Sequence, residues 1–389
     1  MGFDVVILGA GASGLACAAA CAARGRAVAV LDHGQKAARK VLASGGGRCN
    51  VTNMAVSAAD YRCANPHFVK SALARFTPHD LLGRLHRAGV ATAEEDGGKV
   101  FCPGGAAGVA RFLVENARQA GARLLLGTAI GDVRRQGEGF VVDTGAGPVT
   151  GRSLVLALGG RSWPGLGATE RGYDLAKRLG LAVTTLCPGL APLLAGPDTA
   201  ALCRELAGVS LLVGLSGPAQ LRGDLLFTHK GLSGPVVLDA SLFWREGQAL
   251  SLDFLPGLDI AAIEERLAAA GRHDVKNALT GLLPKRLAGA LCARLGITGP
   301  AAGLSAASRR ALAEGLTAFP FAPARAAGYD KAEVTLGGVD TRGISSKTME
   351  AAAVPGLFVI GELLDVTGRL GGFNLHWAFA SAAAAGECA

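Results

Sequence analysis

Residues 9–14 read Gly-Ala-Gly-Ala-Ser-Gly, and an aspartate, Asp32, follows eighteen positions after the last of these glycines. Glycines at this spacing do phosphate chemistry through the backbone. Gly9 permits a tight turn, Gly11 lets the main chain approach a pyrophosphate, and Gly14 lets a helix pack closely on a sheet. The free N–H groups at the start of that helix, and the positive end of its dipole, attract phosphate oxygens. Asp32 offers its carboxylate to the hydroxyls of an adenosine ribose. A second run, SGGGRCNVTN (44–53), places Gly45, Gly46 and Gly47 in a row. Their consecutive amides suit an anion nest, to which Arg48 adds charge and Asn50 and Asn53 add donors. Near the end of the chain, GLFVIGE (356–362) closes on Gly361 and Glu362, and the glycine turn Gly371–Gly372 then opens an Ala-rich helix. Such a carboxylate suits a polyol chain, and such a helix start suits a negatively charged ring edge.

The elements that must position these residues are readable from their flanks. FDVVIL (3–8) is a short β-branched run that reads as a buried parallel strand. An Ala-rich helix follows to about Arg24, where Gly25 ends it, and RAVAVLD (26–32) is a second strand ending in the acid. Residues 66–90 read as helical. From Arg123, RLLLGT, AIGDVRR, GFVVDT and PVTGRSLVLALGG read as an antiparallel meander that runs into a buried strand, closed by Gly159 and Gly160. Residues 188–256 carry short strands between Gly/Pro turns, 257–325 carry helical periodicity, and the strand-and-turn pattern then returns to the end. The expected architecture is α/β: a Rossmann-like dinucleotide-binding domain of 1–187 and 326–389, interrupted by a β-barrel-like insertion (188–256) and a small helical subdomain (257–325). Three features favour FAD over NAD as the resident dinucleotide: the meander, the 356–386 segment, and the glycine run just after the ribose-binding acid.

Composition narrows the function classes. The net charge is +8 over 389 residues, with basic residues scattered and no dense Lys/Arg run, so no nucleic-acid partner is expected. The nine cysteines form no CxxC pair and no Cys/His cluster at zinc spacing, which predicts a reducing cytoplasm, no disulfide framework and no metal. The uncharged stretch 5–23 lacks a basic flank and is broken by glycines 9, 11 and 14, so no membrane span or signal peptide is expected. The oligomeric state is not readable.

VVILGAGASGL, VLASGGGRCNVTN, LALGGRSWPGLGATERGYDLAKRLG, FTHKGLSGPVVLDAS, LPKRLA, KAEVTLGGV and GLFVIGELLDVTGRLGGFNLHWAF occur in this order along nearly the whole chain. In these motifs the sequence resembles the bacterial NAD(P)/FAD-dependent oxidoreductases of the BaiN-like, or aminoacetone oxidase-like, type. The resemblance implies a glutathione-reductase-type flavoprotein fold. It implies that Gly9, Gly11, Ala12, Ser13 and Gly14 hold the pyrophosphate and Asp32 the adenosine ribose. Arg48, Cys49 and Asn50 would line the flavin, and Ile130 would meet the adenine through its backbone. Gly361, Glu362 and the turn Gly371, Gly372, Phe373, Asn374, Leu375 would contact the ribityl chain and ring. Two positions depart from the family pattern: Asp32, where glutamate is more usual in such folds, and His376, where glutamine is expected.

The function this implies is an FAD-dependent oxidoreductase that passes a hydride through flavin N5 to or from a small organic substrate held between the flavin domain and the insertion. Reduction of an activated C=C bond with NAD(P)H as transient donor is the first expectation. A flavin-dependent amine or aminoketone oxidase and a non-enzymatic electron-transfer or sensor protein are the alternatives, and an RNA-modifying flavoprotein a third. No residue declares itself as the acid or base. His229 and Lys230 in a polar turn, His376, and Tyr173 are the candidates, each with a bland alternative: a solvated turn for the first pair, core packing for the other two.

Overall fold

The computed structural model describes all residues from Met1 to Ala389. They form two compact units, one of Met1–Pro188 with Glu333–Ala389, the other of Gly189–Ala332. The chain therefore re-enters the first unit at Glu333 rather than at 326.

The first unit is built on a sheet. Strand β1 (Gly2–Leu8) is followed by helix α1 (Ala12–Ala23), strand β2 (Val28–Asp32), helix α2 (Ala106–Gln119) and strands β3 (Arg123–Leu126), β4 (Ile130–Gln136), β5 (Gly139–Thr144) and β6 (Val149–Leu156). Strand β7 (Leu357–Val359) and helix α3 (Phe373–Gly386) come from the C-terminal segment. The parallel part runs in the order β3-β2-β1-β6-β7. VVIL and VAVL read as unbroken apolar runs because helices cover both faces of a parallel sheet, and Val5–Leu8 and Val28–Leu31 are all 1% exposed or less.

Strand β6 carries two pairings at once. Its first half, Val149–Gly151, pairs antiparallel with β5, and its second half, Leu154–Leu156, pairs parallel with β7. The meander is thus β4-β5-β6, and RLLLGT is not part of it. That segment is β3, parallel to β2 at the opposite edge. A parallel neighbour needs a long crossover, and α2, with Val109, Leu113 and Ala117 buried, lies in that crossover. Local alternation could not reveal this, because three leucines look alike in either pairing.

The second unit is a seven-stranded antiparallel sheet in the order 319–321, 250–253, 210–216, 221–228, 231–233, 193–195, 323–326. Its two outermost strands are separated in sequence by Ala322 alone. One residue spans less than 4 Å of chain, so the sheet must curl until its edges nearly meet, as a barrel. Helices 260–269, 285–294 and 306–317 share its core: Ile263, Leu287 and Leu316 cluster with Val213, Leu252 and Phe254. The β-rich and helical stretches, set apart in the sequence reading, are one unit. No helix is long and apolar enough to cross a membrane.

Candidate cofactor-binding site

The glycine loop joins β1 to α1, and its shape is forced by close backbone approaches. Gly9 has φ 109°, and a Cβ there would meet the Ala157 carbonyl; a Cβ on Gly14 would meet the Gly9 carbonyl. At Gly11 a Cβ would meet nothing within 4 Å. The loop is therefore packed on its inner side and open at Gly11, which is the shape that admits a pyrophosphate against the backbone. Asp32 braces the loop. One carboxylate oxygen accepts from Ala10 N–H at 2.8 Å and the other from Gly34 N–H at 2.7 Å. Arg39 approaches the same carboxylate at 3.4 Å.

A cleft of about 230 Å³ opens over this loop, lined by Gly9, Gly11, Ala12, Ser13, Asp32, Gly159, Gly160, Glu362, Asn374 and Leu375 among others. A larger hollow of about 730 Å³ lies between Ala19, Ala23, Arg84, Arg87 and Gln119. It touches neither the loop nor Asp32, so the smaller cleft is the candidate site. Glu362 forms an ion pair with Lys40 at 2.7 Å and accepts from Thr335 N–H at 3.0 Å. A Cβ on Gly160 would collide with the Glu362 carboxylate, so that glycine makes room for the acid. Gly361, at φ 69°, lies beneath: its N–H donates to Ser381 Oγ at 3.0 Å, and its carbonyl accepts from the Trp377 indole at 3.2 Å.

Several of the expected residues do not line this cleft. Gly45, Gly46 and Gly47 have φ of 57°, 64° and 87° and are exposed, but only Ser44 of that run lines the cleft. Arg48 pairs with Glu95 at 2.7 Å, and its guanidinium lies 4.2 Å from the centre of the Phe101 ring. Cys49 is fully buried, and burial pushes its thiol up to about 11. Asn50 begins the strand 50–53. With its amide nitrogen toward the Thr52 and Val100 carbonyls it also accepts from Gly372 N–H. None of these three lines the cleft. Gly371 and Gly372, at φ 121° and 96°, shape the entry to α3, and a Cβ on Gly372 would strike the Thr52 carbonyl. Phe373 is buried beside Tyr61, whose hydroxyl donates to the Phe373 carbonyl at 2.9 Å. Asn374 reaches the cleft and pins the turn, accepting from Gly368 N–H and donating to Gly368 O, both at 2.8 Å. Ile130 does not line the cleft, and its carbonyl is taken by Arg171 at 3.3 Å.

None of the four catalytic candidates lines the cleft. His376 is fully buried. Its Nε2 lies 3.1 Å from the Phe76 carbonyl, which can only accept, so Nε2 carries the proton and Nδ1 accepts from Thr52 Oγ1 at 2.9 Å. Burial pushes this imidazole down to about 4. Tyr173 is 1% exposed, in the helix 171–178. His229 and Lys230 are exposed in the turn between strands 221–228 and 231–233 of the second unit. The sequence reading missed Lys36, Arg39, Lys40 and Glu333, all of which line the cleft. Three cations within five positions of QKAARK (35–40), just after the acid, were the available signal. Burial raises the Glu333 carboxyl above the usual carboxylate range, against the pull of Lys40 and of Trp163.

An open glycine at the helix start, a braced acid at the end of β2, and a glutamate after β7 are the features an FAD needs from its cradle. The residues present therefore fit that group. The profile of the HI0933-like protein Rossmann domain matches residues 3–388. The chain belongs to the HI0933-like family. One HI0933-like relative, the ribosomal RNA dihydrouridine synthase of Escherichia coli K12, is 41% identical over 385 residues, spanning 98% of this chain and 96% of that protein. The 3-dehydro-bile acid delta(4,6)-reductase of Clostridium scindens is 30% identical over 400 residues, spanning 98% of each, which accounts for the BaiN-like motifs. Among solved structures, the open conformation of a flavocytochrome c3 fumarate reductase is similar in fold, with a TM-score of 0.50 at 16% identity over 99% of this chain and 78% of that one. The HI0933-like architecture here is an FAD-binding Rossmann-type α/β fold that carries a nearly closed antiparallel sheet.

Proposed function

We propose that this HI0933-like protein is an FAD-dependent reductase of carbon–carbon double bonds conjugated to a carbonyl, and that its substrate is a uridine of ribosomal RNA. The observation that carries the reading is an intact dinucleotide cradle in a chain 41% identical, end to end, to a ribosomal RNA dihydrouridine synthase. The second relative fits the same chemistry. Uracil has its C5=C6 bond conjugated to the C4 carbonyl, and a 3-oxo-4,6-diene has its double bonds conjugated to the C3 carbonyl. Both accept a hydride at the carbon remote from the carbonyl and a proton at the nearer one. The sequence reading set nucleic acid aside for want of a basic run. A net charge of +8 in scattered residues is nonetheless compatible with salt-sensitive contact to RNA phosphates.

FAD supplies the two-electron hydride chemistry, with NAD(P)H as the soluble donor. The protein's own groups bind and orient it. The amides that open α1, with Gly11 clear of any side chain, would hold the pyrophosphate. Asp32 would take the adenosine ribose, with Lys36 and Arg39 beside it, and Glu362, fixed by Lys40 and Thr335, would take the ribityl hydroxyls. Asn374 and Leu375 at the start of α3 would face the ring.

The test supplies purified protein and NADPH or NADH with ribosomal RNA from Escherichia coli cells deleted for the 41%-identical relative, and digested nucleosides are then read by mass spectrometry. Dihydrouridine is expected to appear. No dihydrouridine with either donor, in flavin-loaded protein that reduces a 3-oxo-4,6-diene steroid, would overturn the RNA substrate and leave the bond class.

A further inference from the structure

Five residues other than glycine have a positive φ: Ala38, Cys49, Trp163, Leu190 and Met349. Four of them are held there by packing, each 2% exposed or less. Trp163 is the exception: φ 65° and ψ 59° on a bulky residue that is 36% exposed. An exposed tryptophan alone is ordinary surface. An exposed tryptophan kept in a left-handed conformation is strain that its own burial does not explain, and such strain collects at ligand sites.

The surrounding loop is anchored by burial and hydrogen bonds. Ser162 is fully buried, Arg161 N–H donates to Thr335 Oγ1 at 2.8 Å, and Arg161 pairs with Glu170. The Trp163 carbonyl accepts from Leu166 N–H at 2.9 Å. The next residues lead directly into the cleft, which Leu166, Gly167 and Thr169 line. Trp163 also lies near enough to Glu333, another cleft-lining residue, to draw its carboxyl pKa down against the effect of burial.

We propose that Trp163 is a substrate-recognition residue whose indole stacks on a nucleobase beside the cleft. The proposal rests on the RNA reading above and deepens it by naming the group that recognises the base. Stacking suits this position because every base has a π-face, so one pre-set aromatic receives it without a new hydrogen-bond pattern.

The other two tryptophans, Trp244 and Trp377, are 6% and 1% exposed, so emission from a solvent-accessible indole reports on Trp163. The flavin-loaded protein is titrated with a short uridine oligonucleotide and with an abasic oligonucleotide of equal length. Quenching of the accessible emission by the first and not the second is expected; equal quenching, or none, would overturn the proposal. In parallel, KM and kcat for dihydrouridine formation are measured for Trp163→Ala and Trp163→Phe, with flavin content and melting temperature checked. Trp163→Ala is expected to raise KM by roughly tenfold, the cost of one lost base–aromatic stack, with Trp163→Phe restoring most of it. An unchanged KM in Trp163→Ala would overturn the proposal and leave the reductase reading standing. Quenching by the uridine probe in a protein that forms no dihydrouridine would instead uphold base binding and remove the proposed reaction.

Discussion

Asp32 braces the loop with both carboxylate oxygens. Its acceptors hold Ala10 and Gly34 at 2.8 and 2.7 Å, so the residue that would receive a ribose also keeps the glycine loop in shape. Hydrogen bonds to a charged acceptor contribute about 1.5–3 kcal/mol. Asp32→Ala is therefore expected to weaken FAD binding by at least about tenfold, with Asp32→Asn between it and the parent; equilibrium dialysis read by flavin absorbance measures both. His376 gives a pH-dependent expectation. The folded protein holds it neutral, with its value lowered from 6.5 to about 4. Between those values the unfolded chain binds the extra proton and the folded one does not. The stability is thus fully present above pH 6.5 and is lost as pH falls towards 4. The fall is on the order of 3 kcal/mol. Thermal melts from pH 7 to 4 should show it, and His376→Gln, whose amide can still donate to the Phe76 carbonyl, should flatten that part of the profile. A flavin spectrum unchanged by His376→Gln would agree with its place in the core; a large shift would contradict it.

At the scale of elements, the strand–loop–helix at the N-terminus is held by contacts that tolerate no side chain. Gly9→Ala places a Cβ on the Ala157 carbonyl at the end of β6 and fixes a non-glycine residue at φ 109°. The backbone conformation alone costs about 1–3 kcal/mol, and relief of the clash must separate β1 from β6. Lower melting temperature and loss of bound flavin are expected together. Gly11→Ala meets nothing within 4 Å in the protein, so it should leave the melting temperature of flavin-free protein unchanged and reduce FAD affinity alone. The contrast, read by calorimetry and dialysis on the same samples, separates a glycine that packs from one that makes room. The same reasoning explains α3: its Ala-rich sequence lets it approach α1 closely, and a Cβ on Gly386 would already strike Ala20.

At the scale of the whole molecule, residues 189–332 have their own sheet, helices and core. Expressed alone, this segment is expected to melt cooperatively, with a calorimetric enthalpy that matches its van't Hoff value. A gradual, non-cooperative melt would show that it borrows its stability from the rest of the chain. The run of residue types by itself determined the features whose partners lie close in sequence: the strand–glycine–helix–acid unit of 3–32, the meander β4-β5-β6, and the glycine turn before α3. Turn geometry and two-residue or 3.6-residue periodicity act over a few positions, so composition and spacing suffice to read them. Only the tertiary structure decided which of the glycine-rich stretches faces the cleft. Lys40 meets Glu362 across 322 positions, and Thr52 meets His376 across 324. Those pairings bring Lys40 in, turn His376 inward, and leave Arg48 on Glu95 and Phe101. They depend on how distant segments pack, on the volume a side chain fills and the acceptor it finds, and no local pattern in the chain encodes that.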